Sequence, residues 1–135
     1  MWALLQAIKT ALEAIPELDT VGIGTERGIS AKDTPAARIV TDYTETKANN
    51  RYLDNGELHI VLLLDLKNDL EEVYHQSIDL ELLIRDALRP YVNFTRTEYD
   101  TDSLTNFKAS IIRFNFSGIK NGRYDECDPM GVPNG

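Results

Sequence analysis

The chain has 135 residues, of which 42% are hydrophobic and 27% charged, the make-up of a single globular domain large enough to bury a core without staples. Its net charge of −8 excludes tight nonspecific binding to nucleic acid, which needs clustered Lys and Arg to release counterions, and suits a surface that repels polyanions. Cys127 is the only cysteine, so an internal disulfide framework is excluded; no apolar run is long enough to span a bilayer, and the N-terminus lacks the basic and apolar regions expected of a signal peptide.

Leu4, Leu5, Ile8, Ala11, Leu12 and Ile15 recur at helical spacing and predict an amphipathic helix that ends before Pro16. Its polar face carries Lys9 and Glu13 rather than a row of cations, so the stripe is expected to pack on a sheet and not on a membrane. Thr20–Thr25 reads as a short strand weakened by Gly22 and Gly24, residues 27–35 as a loop, and Ala37–Tyr43 as a second strand. The polar stretch Thr44–Gly56 predicts either a loop or an extended β-arm, with Asn55-Gly56 suited to a tight hairpin turn.

Glu57–Lys67 is the clearest strand. Leu58, Ile60, Leu62, Leu64 and Leu66 share its core face; His59, Val61, Leu63 and Asp65 share the other. The second face is too apolar for open water and predicts a central strand or one covered by a loop or a neighbouring chain. A three-residue turn leads into a helix in which Asp69 is the N-cap, Glu72 completes a capping box, and Pro90 is the stop. Its expected inward stripe is Leu70, Val73, Tyr74, Ser77, Leu80, Ile84, Ala87 and Leu88. Tyr91–Thr95 predicts a short strand, Glu98–Leu104 an acidic loop and Phe107–Ser117 a final strand. Residues 118–135 are rich in Gly, Pro, Asn and Asp and predict a flexible tail. The expectation is therefore an α+β domain over residues 1–117: a mostly antiparallel sheet of about four to five strands packed on one face by the N-terminal and long central helices.

Residue chemistry points away from catalysis and cofactors. Gly22–Gly28 has Arg27 where a dinucleotide loop needs its third glycine, and no helix pattern follows it. His59 and His75 have no second His or Cys at zinc spacing. Asp125, Glu126 and Asp128 lack the order of a calcium loop, and the same carboxylates disfavour a Cys127 thiolate. No metal and no cofactor is expected. The dispersed arginines Arg38, Arg51, Arg96, Arg113 and Arg123 suggest subunit contacts or local ion pairs. Aromatics beside arginines are typical interface anchors, although the same aromatics could cap the core edges. Tyr43, Arg51, Tyr52, His59, Arg113 and Tyr124 are the candidate interface residues.

The order of elements, from the Leu4–Ile15 helix through the strand after Pro35, the polar segment, the Leu58–Leu66 strand feeding the Leu70–Arg89 helix, and the final Lys108–Phe116 strand, resembles the tail terminator (tail completion) proteins of long-tailed bacteriophages. The resemblance covers residues 1–117 and is one of pattern; the tail after Gly118 departs from it. It implies a structural protein of the virion, at the tail–neck junction, assembled in the host cytoplasm. Such a protein forms a ring, typically of six copies, that caps the tail tube, stops its polymerisation and offers a surface to a head-closure protein. DNA would pass through the channel without specific binding, and no membrane is involved. Competing expectations are a head-closure or neck connector, a small enzyme using an acidic pair, and a non-viral adaptor that binds partners by a sheet edge.

Overall fold

The computed structural model describes residues 1–24, 31–47, 50–66, 70–99 and 107–120. The first helix, α1, spans Trp2–Glu13 and buries Leu4, Leu5, Ile8 and Leu12, as the spacing predicts. Ala14 closes it in αR geometry just short of Pro16. The strands are β1 (Thr20–Ile23), β2 (Ala36–Lys47), β3 (Asn50–Asp65), β4 (Asn93–Tyr99) and β5 (Phe107–Lys120), with a 3-10 turn at Ala31–Asp33 before β2 and helix α2 (Leu70–Leu88) between β3 and β4.

The five strands form one sheet in the order β1-β2-β3-β5-β4. β1 runs parallel to β2, and every other pair is antiparallel. Registers such as Ile39↔Ile60 and Ile60↔Ile112, or Leu58↔Phe114, align the inward side chains of neighbouring strands. Both helices join those side chains in a single apolar core, so the α+β architecture is the expected one. Phe94 and Phe114 meet edge-on there, with centroids 6.0 Å apart. Ser77 and Ser110 are fully buried polar residues; their hydroxyls, 3.1 Å apart, satisfy one another between α2 and β5. Among the described residues no helix is long and apolar enough to cross a membrane.

Several local expectations are corrected. Asn55-Gly56 is not a turn but lies inside β3, opposite Glu45 and Thr44. The chain reverses between Lys47 and Asn50, so the polar segment is the extended β-arm alternative. Gly56 has no positive φ. Its missing side chain is needed for space, since a Cβ would stand 2.8 Å from the Phe116 ring and collide with the Tyr43 carbonyl. β5 continues three residues beyond the expected end and backs the arm through Asp54↔Ile119 and Leu53↔Lys120. Gly118, at φ 71°, donates its N–H to Asn55 Oδ1 at 3.0 Å. β4 begins later than expected and carries Glu98 within a strand instead of a loop.

Leu66 ends up exposed beyond the last ladder position of β3. On α2, Leu70 and Tyr74 are exposed, and Glu81 takes an inward place. The Tyr99 hydroxyl donates to Glu81 Oε1 at 2.8 Å, which makes that burial tolerable, while Arg85 lies 3.6 Å away. Lys108 projects between the Tyr74 and Tyr99 rings, 4.4 and 4.7 Å from their centroids, and burial holds its ammonium pKa below the usual lysine range. The expected Asp69 cap, residues 27–30 of the expected 27–35 loop and residues 121–135 of the expected tail lie outside the described residues.

Candidate subunit-contact surface

The period of two that buries Leu58, Ile60, Leu62 and Leu64 turns their neighbours to the other side of the sheet. Register extends that second face across the strands: Ala36, Arg38 and Val40 of β2, then Glu57, His59, Val61, Leu63 and Asp65 of β3, then Phe107, Ala109, Ile111 and Arg113 of β5. Both helices pack on the core face; on this one Ala36, Arg38 and Ala109 are buried, and the larger apolar side chains are left partly exposed. Val40, Val61, Leu63 and Ile111 are half-buried by one another and form an apolar strip.

A charged group lies at the arm side of that strip. The β-bulge between Thr41 and Tyr43 turns Asp42 onto the same face. His59 Nδ1 donates to Asp42 Oδ1 at 2.9 Å; the carboxylate can only accept, which sets the tautomer. Arg113 Nη1 lies 3.5 Å from the same oxygen. Arg113 Nη2 donates to Glu98 Oε1 at 3.2 Å, and Arg96 Nε donates to Glu98 Oε2 at 2.7 Å. Arg113 Nε is also 3.2 Å from Oε2, but its N–H is not aligned for a hydrogen bond. The Arg113 hydrogen bond, then that of Arg96, lowers the Glu98 pKa, while Glu98 raises that of Arg113. Tyr43 donates its hydroxyl to Glu57 Oε2 at 3.4 Å.

Of the residues expected at an interface, Tyr43, His59 and Arg113 therefore come together on one face. Tyr52 and Arg51 lie on the arm section of β3, and Tyr124 falls outside the described residues. Asp42, Glu98 and Arg96 complete the cluster; Arg96 makes one of the local ion pairs expected of the dispersed arginines, whereas Asp42 and Glu98 are not recognisable from sequence. Asp42 is brought in by a bulge, and the other two by the pairing of β4 with β5, a contact between segments far apart in the chain.

Chemically, the cluster can bind or orient but holds no nucleophile. The His59–Asp42 pair could orient a base. Its register neighbours, however, are Val40 and Arg113, and no serine or cysteine shares that part of the face among the described residues. His75 is exposed on α2, 3.5 Å from Asp79, with no second His or Cys nearby in sequence. The described residues contain no group of three or more His, Cys, Asp or Glu able to hold a metal. Opposite charges balance within the cluster, so it presents a patterned surface and not a single-sign field. Comparison with protein-family models finds no match, and comparison with curated proteins finds none.

Proposed function

We propose that the chain is a non-catalytic assembly subunit that closes into a ring with copies of itself, and that the ring caps a phage tail tube and presents the head-joining surface. The observation that carries the self-assembly is the second sheet face, where Val40, Val61, Leu63 and Ile111 form a partly exposed apolar strip flanked by the Asp42–His59–Arg113–Glu98 cluster. An apolar centre with a polar, ion-paired rim is the anatomy of a protein interface.

The sheet face by itself is smaller than a stable contact, and the arm has to contribute to it. Five strands at about 4.8 Å spacing and roughly eight residues of length make a face of about 500 Å². A stable contact needs about 800 Å² per partner. The β-arm, in which β2, β3 and β5 continue as paired strands, supplies further area. The tail-tube assignment rests on the order of elements resembling the tail terminator proteins. The acidic balance of −8 suits a channel wall that lets DNA slide past.

Light scattering on a size-exclusion column across a concentration series, followed by electron microscopy, tests the ring. Discrete closed rings that bind the ends of purified tail tubes are expected. A monomer at every concentration, with or without tubes, would refute the proposal.

A further inference from the structure

The two edges of the sheet differ. β4, at one edge, is broken by a bulge at Thr95 and carries the Arg96–Glu98 ion pair, both of which discourage another strand from pairing. β1, at the other edge, is Thr20-Val21-Gly22-Ile23 and has no charge of its own. Thr20 and Gly24 direct their N–H groups to Pro35 and Ile39. Alternation then turns the N–H and C=O of Val21 and Ile23 away from β2, on the side where no strand pairs among the described residues.

A cavity of about 490 Å³ runs along this edge, lined by β1, by Trp2, Gln6 and Lys9 of α1 on one wall, and by Arg38 on the other. Arg38 is 8% exposed. Its guanidinium crosses β1 over Gly22, where a Cβ would stand 3.2 Å from Nη1. Among the described residues it makes one long hydrogen bond, from Nη1 to the Gly24 carbonyl at 3.5 Å, and its buried Nε has no partner there. Such a cation is costly to bury and calls for a carboxylate.

We propose that this groove binds the acidic C-terminal segment of a second copy of the chain as an added strand on β1, with a carboxylate of that segment on Arg38. The segment's sequence alternates as the groove does. In Tyr124-Asp125-Glu126, the first and third residues of a strand face one way and the second the other. Tyr124 then meets Trp2, Glu126 meets Lys9, and Asp125 meets Arg38. Pro129, which has no N–H, ends the pairing.

Reach assigns the donor to another copy. β5 ends at Lys120, opposite Leu53, whereas Arg38 is opposite Val61. Those eight residues of strand and the three strand spacings from β5 to β1 put about 30 Å between Lys120 and the groove. Asp125 is five residues from Lys120 and extends about 17 Å at most. Its own groove is out of reach, and a neighbour's is not. The inference is independent of the tail-tube reading and needs only two copies of the chain.

The test adds a fluorescent peptide of residues 121–135 to the full-length protein and follows anisotropy, with amide exchange read by NMR. Binding is expected to slow exchange at Val21 and Ile23. It is expected to weaken about tenfold or more with Arg38→Gln, and equally when Asp125, Glu126 and Asp128 of the peptide are made neutral amides. The neutral peptide leaves the protein untouched and so separates a lost contact from a lost fold. Absence of binding, equal binding by the neutral peptide, or exchange unchanged at Val21 and Ile23 would overturn the inference. None of these outcomes bears on the second sheet face, which is tested by ring formation.

Discussion

Leu62 and Leu63 are the same residue type at adjacent positions of one strand, facing opposite sides of the sheet, which makes Leu62→Asp and Leu63→Asp a controlled pair. Leu62 is fully buried between Ala37 and Ser110. Emptying a leucine site costs about 3–5 kcal/mol, and placing an unpaired carboxyl there costs several more. The sum, about 6 kcal/mol or more, is comparable with the roughly 5–15 kcal/mol that holds a domain of this kind together. Leu63 is half-buried, with Ala36 and Ala109 as its strand neighbours and no charge directly opposite. Its replacement forfeits about half of a leucine's transfer energy, roughly 1 kcal/mol, or a loss of about 3–6 °C in Tm. Circular dichroism melts and light scattering read the two effects separately. Leu62→Asp should be unfolded. Leu63→Asp should melt cooperatively near the wild type yet remain monomeric at concentrations where the wild type assembles. If both variants unfold alike, the second face is core and the interface reasoning fails; if Leu63→Asp assembles normally, the face is not the contact.

Deleting residues 45–54 removes the arm and leaves Thr44-Asn55-Gly56 as a short turn between the paired residues Tyr43 and Glu57. The shortened chain should keep its melt and lose assembly, and loss of the fold by circular dichroism would show that the arm is structural. Phe114→Ala should cost about 3–5 kcal/mol in denaturant titrations, because the ring is fully buried against Phe94; a cost under about 1 kcal/mol would contradict the packing. Glu98 has a folded pKa below its unfolded one, so its contribution to stability is present above about pH 4.3 and is lost as pH falls through the lower folded value. Arg113→Gln removes the largest cause of that shift, and carboxyl-carbon NMR should show the Glu98 midpoint rising; an unmoved midpoint would mean that the pair does not form in solution.

Periodicity alone determined the elements whose pattern is local. The stripe from Leu4 to Leu12 became α1, with Ile15 buried just past the helix end, the alternation from Leu58 to Leu64 became the core face of β3, and Ile112, Phe114 and Phe116 took their inward places in β5. A helix or strand pattern is written in neighbours a few residues apart, and burial of one face follows from it directly. Tertiary structure decided what depends on distant partners. Asn55-Gly56 has turn chemistry, but pairing with β2 and β5 keeps it in the ladder. Tyr74 fits the inward stripe of α2 by spacing, yet the Tyr99 hydroxyl holds Glu81 inside and leaves Tyr74 outside over Lys108. The meeting of His59, Asp42, Arg113 and Glu98 depends on a bulge and on a strand order of β3-β5-β4, neither of which leaves a mark at any one of those residues. Strand order and register are chosen by the packing of the whole sheet against its helices, and so is the surface on which the proposed function depends.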